Sequence, residues 1–302
     1  MKYLAGIVPG SLPILRKDIN ARPKEELNII WHDDSMLMIE SNLPQTKLLG
    51  ISYFTNLYQA VEPGATRNMT GSYRLNYLRD GSPVKMPTNA SAHLDEINAN
   101  KKLMSETHRA DHHFVIHERP NLEPTVSIKL SGSTPSEDGR LSPQVAQILC
   151  MYAGLKHKHT LLDPFAGTGA IPYQAATSFG VTDITASDPD ASINRFDHTY
   201  ITWISKDVSE ISGSIKSESI DKIITDPPWG NYRDQSDAHL HELYSLLLDL
   251  SMHALKPGGV LVVLTGWAGF EELNTNQMEH ISDLSILVNG KKATIHKLRK
   301  PS

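Results

Sequence analysis

The sequence predicts an α/β protein, in which a smaller mixed α/β N-terminal domain precedes a mostly parallel seven-stranded sheet with a C-terminal antiparallel hairpin. From Leu141 onward, apolar β-branched runs alternate with longer helical patterns, which is typical of a parallel sheet covered by helices on both faces. Two apolar runs flank Asn289-Gly290, the strongest two-residue hairpin signal. The breaker-rich segment 131–140 separates the two patterns. We therefore place the domains at residues 1–130 and 131–302.

The N-terminal domain is predicted to contain one helix and several short strands. The helix is SLPILRKDI, near the start of the chain. The strands are the apolar runs YLAGIV, NIIWHDDSMLMIE, KLLGISYF, FVIHE and TVSIKL. Residues 62–100 are rich in Pro, Gly, Asn and Ser, and this composition predicts a loop.

The C-terminal domain begins with the predicted helix LSPQVAQILCMYAGL, in which Ser142 is the N-cap and Pro143 takes the first helical position. The following elements are, in order, strand HTLLDPF, helix GAIPYQAATSFG, strand DITASD, short helix PDASINRFDHTY, strands ITWISKD and DKIITDPP, helix HLHELYSLLLDLSMHAL, strand GGVLVVLTGW and hairpin LSILVNGKKATIHKL.

The composition argues against several classes of protein. The formal net charge of −5 disfavours a strongly basic nucleic-acid binder, so that any nucleic acid would be held by local patches. Pro9 and Pro13 interrupt the apolar start of the chain, which disfavours a signal peptide there. No run approaches the roughly 18 apolar residues that span a bilayer. Cys150 is the only cysteine, which excludes a disulfide framework. We expect a cytoplasmic protein with no membrane partner; the oligomeric state stays open.

A glycine-containing loop, DPFAGTGAI at residues 163–171, joins a predicted strand to a predicted helix. Gly167 and Gly169 let the backbone approach a ligand where a Cβ would collide, although the same residues also suit an ordinary turn. A phosphate-binding P-loop needs Lys after its last glycine, and Ala170 stands there instead. A dinucleotide fingerprint needs a third glycine where the chain has Pro172. Both nucleotide-phosphate interpretations are therefore weakened.

Three acids are predicted at the carboxyl edge of one sheet, where ligands of such folds bind. Asp188 ends the second strand, where a carboxylate can accept both hydroxyls of a ribose. Asp207 ends the third strand and could receive the exocyclic amino group of an adenine. Asp163 would face the positively charged end of the ligand. Each acid taken alone also fits a solvated loop.

Together these residues resemble a family. The stretch Asp-Pro-Phe-Ala-Gly-Thr-Gly, Asp188, Asp207, Asp-Pro-Pro-Trp and Lys-Pro-Gly-Gly (256–259) are similar, in this order, to the motifs of Rossmann-like S-adenosylmethionine-dependent methyltransferases, over residues 139–302. The resemblance implies S-adenosylmethionine as the cofactor. It places Gly167 and Gly169 against the methionine moiety and Asp163 near its ammonium. The cofactor-binding residues carried over are Asp163, Phe165, Ala166, Gly167, Gly169, Asp188 and Asp207.

The stretch Asp226-Pro227-Pro228-Trp229 follows a buried strand that must end there, because proline cannot donate to a sheet ladder. The side chain of Asp226 and the carbonyl of Pro227 could each accept a hydrogen from an exocyclic amino group and fix its nitrogen. Trp229 could stack on an extruded base, a contact worth about 1–3 kcal/mol. We predict these four residues as catalytic; a strand-ending turn with a buried tryptophan is the alternative.

Within that class, GRLSPQVAQIL followed by LLDPFAGTGAI is similar to the tRNA guanosine-N2 methyltransferases, and Arg140 and Pro143 carry part of the match. The resemblance implies methylation of guanosine N2 in tRNA. That family usually carries an RNA-binding THUMP domain, and residues 1–130 show no complete one. A DNA adenine-N6 or cytosine-N4 methyltransferase is the alternative, and a non-catalytic cofactor-binding RNA chaperone is a further one. Asp226 disfavours a protein glutamine methyltransferase, and Cys150 suits a core position rather than a nucleophile.

Four histidines, His108, His112, His113 and His117, lie within ten residues. His108 and His112 have helical metal-ligand spacing, but HHFVIHE predicts a strand that would split the set. We therefore predict a surface cluster and no metal. The pair Tyr232-Arg233 suits a flanking nucleotide and a solvated loop equally.

Overall fold

The computed structural model describes residues 1–62, 65–87, 95, 97, 100–105, 109–132, 140–230, 236–273, 275 and 277–302. The chain forms two compact units. One consists of Met1–Ile7 with Arg16–Thr134, and the other of Val8–Leu15 with Pro135–Ser302. In the second unit, the amide of Leu287 donates to the carbonyl of Pro9, which explains why this early segment groups with the later residues. The predicted single domain boundary at residue 130 does not include this grouping of residues 8–15 with the second unit.

The first unit is built on one mixed sheet with the strand order β2-β3-β1-β4-β9-β8-β5-β6, in which β7 also pairs with β5. Most pairs are antiparallel, while β5 runs parallel to β7 and β8. The strands are β1 Lys2–Gly6, β2 Asn28–His32, β3 Met36–Glu40, β4 Asn56–Ala60, β5 Gly71–Arg79, β6 Ser82–Pro83, β7 Leu103–Ser105, β8 His112–Arg119 and β9 Leu122–Gly132. The described helices are α1 Leu12–Asn20, of which residues 12–15 group with the second unit, α2 Gln45–Leu49 and a 3-10 helix at Ala65–Asn68.

Two predictions for this unit were wrong. The run KLLGISYF was predicted as a strand, but its first part belongs to α2, and the amide of Gly50 closes that helix onto the carbonyls of Lys47 and Thr46. Residues 62–100 were predicted as loop, yet they contain β5. Its apolar residues Tyr73, Leu75 and Tyr77 alternate and pack into one core cluster, a period-two signal that the surrounding turn residues obscured.

The second unit holds a seven-stranded sheet with the order β12-β11-β10-β13-β14-β16-β15. The pairs among β10 to β14 are parallel, and β16 is antiparallel to both β14 and β15. The strands are β10 Thr160–Asp163, β11 Asp183–Ser187, β12 Ile201–Ile204, β13 Ile220–Thr225, β14 Leu255–Thr265, β15 Glu279–Val288 and β16 Lys291–Arg299. The helices are α3 Pro143–Ala153, α4 Ala170–Phe179, α5 Val208–Ile211, α6 Asp237–Ala254 and 3-10 helices at Ser212–Ser214 and Ala268–Glu272.

Helix α3 begins as predicted, because the Ser142 hydroxyl accepts from the amide of Val145 and Pro143 is the first helical residue. Cys150 in this helix is fully buried, and burial raises the pKa of its thiol, so the prediction of a core position is confirmed.

The prediction of a short helix in PDASINRFDHTY was wrong. The amide of Ser192 donates to Oδ1 of Asp190, and such local bonds between an acid side chain and the backbone compete with a helix. None of the helices in the described ranges is long and apolar enough to cross a membrane.

Candidate active site

The parallel strands of the second unit bring their carboxyl ends to one edge, and the glycine loop begins there after β10. Gly167 and Gly169 both have left-handed backbones, with φ of +52° and +87°. A Cβ on Gly169 would lie 2.8 Å from Cζ2 of Trp203, whereas a Cβ on Gly167 would meet no atom of the described residues within 4 Å. Gly169 therefore serves packing. Gly167 borders open space, which fits a ligand passing over the backbone.

The Gly169→Ala variant is expected to lose about 2 kcal/mol of unfolding free energy, because alanine is strained at this φ and its methyl displaces the indole of Trp203. Urea denaturation followed by circular dichroism measures the change. Gly213→Ala is the matched control, since a Cβ on Gly213 would have no neighbour within 4 Å in the described part of the chain, and its φ is not positive; we expect a change below about 0.5 kcal/mol. Equal stability losses in both variants would contradict the packing role of Gly169.

Asp188 follows β11 and holds the glycine loop. One carboxylate oxygen, Oδ2, accepts from the amide of Gly167 at 3.0 Å, and the other, Oδ1, accepts from the amide of Asp190 at 2.9 Å. The amide of Ala166 also donates to the carbonyl of Ser187. Each carboxylate oxygen keeps a further lone pair for a ligand hydroxyl. The loop and the end of β11 are thus fixed to each other by hydrogen bonds within the chain.

Asp163 ends β10 and is completely buried. Its Oδ1 accepts from the Thr225 hydroxyl at 2.7 Å and from the amide of Phe165 at 3.2 Å. Burial raises the pKa of Asp163 to about 7, and the nearby carboxylates of Asp226 and Asp188 add to the increase. A buried carboxyl with this pKa gains from a neighbouring cation, which would stabilise its ionised form.

Asp226 directly follows β13 and is bonded to the tryptophan of its own motif: Nε1 of Trp229 donates to Oδ1 of Asp226 at 2.9 Å. Burial raises the pKa of Asp226 to about 7, while this hydrogen bond opposes the increase. The indole packs against Gly266, where a Cβ would lie 2.7 Å from Cε3 of Trp229. The motif therefore presents a fixed carboxylate.

Tyr244, on α6, anchors the second proline of the motif. Its hydroxyl lies 3.2 Å from the carbonyl oxygen of Pro228 and 2.6 Å from Oγ1 of Thr265. Pro227 is buried and Pro228 is exposed. The bond from Tyr244 therefore holds the backbone of the loop at Pro228. It leaves the carbonyl of Pro227 as the predicted acceptor for the substrate.

Asp207 is not at the end of a strand, and this part of its prediction was wrong. Strand β12 ends at Ile204, and Asp207 is the N-cap of α5, where its Oδ1 accepts from the amide and hydroxyl of Ser209. Asp is a favoured N-cap residue because its side chain satisfies a free helical amide. A contact between Asp207 and an adenine amino group stays a prediction that would use the other carboxylate oxygen.

The structure brings Asp163, Asp188 and Asp226 to one edge, because the Thr225–Asp163 bond joins β13 to β10 and the Asp188–Gly167 bond joins β11 to the loop. Ala166 is buried in the same loop, and Phe165 packs against the core of the unit. Sequence reasoning missed four residues that support the site: Thr225, Tyr244, Thr265 and Gly266. For Thr225 and Thr265, the signal in the sequence was their position at the ends of two adjacent parallel strands.

The structure describes some of the remaining candidates and leaves others outside the described residues. His112, His113 and His117 belong to β8 in the other unit, and His117 is buried rather than on the surface as predicted. His108, Tyr232 and Arg233 lie outside the described residues. Arg140 is exposed, ahead of α3.

Comparison with known proteins gives a consistent result. Residues 134–184 and 194–280 match the family model UPF0020, RMKL-like, methyltransferase domain. A tRNA (guanine(10)-N2)-dimethyltransferase of Methanothermobacter thermautotrophicus is 30% identical over 127 residues, covering 41% of this chain and 38% of that protein. A tRNA (guanine(6)-N2)-methyltransferase of Thermus thermophilus is 28% identical over 136 residues, covering 42% of this chain and 40% of that protein. The chain thus spans about two fifths of the length of these curated relatives.

Two solved structures share the fold. TrmN from Thermus thermophilus matches with a TM-score of 0.78 at 20% identity, covering 99% of this chain and 100% of its own. SMU.472, complexed with SAH (S-adenosylhomocysteine), matches with a TM-score of 0.73 at 10% identity, covering 100% of this chain and 98% of its own. The mixed α/β methyltransferase fold predicted from the sequence is confirmed.

Proposed function

We propose that the protein transfers a methyl group from S-adenosylmethionine to the exocyclic N2 of guanosine in tRNA. The proposal is supported by the match of residues 134–184 and 194–280 to the RMKL-like methyltransferase domain and by the similarity to two tRNA guanine-N2 methyltransferases. The observation that carries the proposal is the pairing of the open glycine loop with the fixed carboxylate of Asp226 at one sheet edge. The open glycine loop suits the cofactor, and the Asp226 carboxylate suits the amino group of a base.

The cofactor of this domain is S-adenosylmethionine, which supplies a methyl group already activated on its sulfonium. The residues present fit it. Gly167 leaves room above the loop, and the buried carboxyl of Asp163 suits an ammonium. The free lone pairs of Asp188 suit two ribose hydroxyls, and the second oxygen of Asp207 suits an amino group.

The target nitrogen needs acceptors, because its lone pair is delocalised into the base and its hydrogens must be held. Oδ1 of Asp226 accepts from Trp229, so we assign Oδ2 and the Pro227 carbonyl as the acceptors for the target amino group. An ionised carboxylate accepts and a protonated one donates. Since the pKa of Asp226 is about 7, we propose that transfer increases as the pH rises through that value.

A tritium-transfer assay tests the proposal. Full-length protein and tritiated S-adenosylmethionine are incubated with unmodified tRNA, duplex DNA or single-stranded DNA, and the acceptor is digested to nucleosides. We expect label in tRNA alone, as N2-methylguanosine or N2,N2-dimethylguanosine. Label in N6-methyladenine or N4-methylcytosine of DNA would replace the proposal with the DNA alternative. Binding of S-adenosylhomocysteine without transfer to any acceptor would indicate a non-catalytic module. We further propose a cytoplasmic location, which follows from the location of its substrate.

A further inference from the structure

We propose that Trp229 is a positioning residue: its indole N–H holds the carboxylate of Asp226 in the orientation that receives the target amino group. This role differs from base stacking, which uses the ring face and needs no N–H. The inference rests on the proposed function, because it concerns the residue that orients the substrate.

The geometry around the indole is tight on both sides of the hydrogen bond. Nε1 lies 2.9 Å from Oδ1 of Asp226. On the six-membered ring, Cε3, Cδ2 and Cζ3 would lie 2.7, 3.2 and 3.2 Å from a Cβ on Gly266. Gly266 has no positive φ, so its backbone does not require glycine, and the three atoms nearest to a Cβ there all belong to the indole. The absence of a side chain at Gly266 thus leaves room for the indole in this orientation.

The backbone between the two partners is also held. Tyr244 bonds the Pro228 carbonyl, and its ring lies 5.0 Å from that of Trp267 and 5.7 Å from that of Phe270. Proline at 227 and 228 removes two backbone freedoms between the carboxylate and the indole. A preorganised donor of this kind needs little reorganisation when the substrate arrives.

The charges facing Asp226 make the N–H important. Asp163 ends the neighbouring strand β10 and is an acid that interacts with Asp226, and Tyr244 is buried and neutral, its pKa raised by burial. Within the described part of the chain, the indole N–H is the one hydrogen-bond donor to the Asp226 carboxylate. A hydrogen bond to the charged form favours ionisation. Phenylalanine at position 229 would keep an aromatic face and lose this donor.

The Trp229→Phe variant separates the two roles. If the N–H positions Asp226, kcat at pH 7 falls about tenfold, KM for tRNA stays within about twofold, and the acid limb of the kcat profile moves up by about one pH unit. If Trp229 only stacks, kcat and the acid limb stay unchanged. Trp229→Ala, which loses both face and donor, should raise KM as well.

A carboxyl titration gives a readout that needs no activity. The protein is labelled with 13Cγ-aspartate, the Asp226 resonance is assigned by its loss in Asp226→Asn, and its shift is followed with pH in the full chain. We expect a higher apparent pKa in Trp229→Phe than in the wild type. An unchanged pKa would overturn the inference. A raised pKa in a protein that methylates no tRNA would retain the inference and reject the proposed function.

Gly266→Ala provides the coupled control, because its methyl displaces the indole while leaving both partners chemically intact. The single variants Gly266→Ala and Trp229→Phe should each raise the Asp226 pKa. The double variant should raise it no further, because both act on one hydrogen bond. Additive shifts would show that Gly266 acts elsewhere and would overturn this account of the indole.

Discussion

The Asp226→Ala variant is expected to lower kcat for methyl transfer about 10³-fold, while the affinity for S-adenosylhomocysteine stays within about threefold. The physical reason is that, in the proposed mechanism, the carboxylate holds the target nitrogen and has no assigned contact with the cofactor. Its Oδ1 is already used by Trp229, so alanine removes both the acceptor and its support. Single-turnover transfer to tRNA and calorimetric titration with S-adenosylhomocysteine measure the two quantities.

Asp226→Asn is the sharper comparison, because its amide keeps one acceptor oxygen and the side-chain shape. We expect it to retain measurable transfer, without the acid limb near pH 7 that we expect in the wild type from the raised pKa of Asp226. Full activity in Asp226→Ala would remove the amino-positioning role. A wild-type acid limb in Asp226→Asn would assign that limb to Asp163, whose pKa is also about 7.

The same pKa values give a folding control with a definite sign. The pKa values of Asp163 and Asp226 are about 7 in the folded protein, above the ordinary value of 3.8. The folded state therefore binds more protons than the unfolded state between roughly pH 4 and pH 7, and the free energy of unfolding decreases as the pH rises across that window. In Asp226→Asn this decrease should be shallower, which thermal denaturation at pH 5 and pH 8 would show.

The parts of the site that could be predicted are those encoded by neighbouring residues. A strand followed by two glycines or two prolines constrains the backbone within a few positions, so the glycine loop and the Asp226 motif are recognisable by themselves. The Ser142 cap and Pro143 are equally local. Parallel alternation then brings the strand ends together, which is why Asp163 and Asp188 share an edge.

The other parts depend on partners far along the chain. Tyr244 has the pattern of an ordinary core residue of α6, and only its packing against β14 reveals the bond to Pro228. Gly266 needs no special φ, so its role depends on the indole that lies beside it. Asp207 was misplaced because the sequence ISKD does not show where a strand stops and a helix cap begins.

Asp188→Ala is expected to raise the Kd for S-adenosylhomocysteine about 100-fold or more. The variant loses the proposed acceptor for two ribose hydroxyls, and it also releases the amide of Gly167, which Asp188 holds at 3.0 Å. Two lost bonds to a charged group account for this factor at about 1.5 kcal/mol each. Calorimetry at constant ionic strength measures it directly.

Two controls separate the contributions of loop and ligand. Asp188→Asn keeps an oxygen for the Gly167 amide and lacks the charge and the second acceptor, so we expect a Kd between those of the wild type and Asp188→Ala. Asp183→Ala removes an exposed acid at the opposite end of β11 and should leave the Kd unchanged. Asp188→Asn could bind S-adenosylhomocysteine as weakly as Asp188→Ala while the Gly167 amide exchanges hydrogen as slowly as in the wild type. In that case the ribose contact contributes most of the affinity. If Asp188→Ala binds like the wild type, Asp188 only holds the loop, and another residue must receive the ribose.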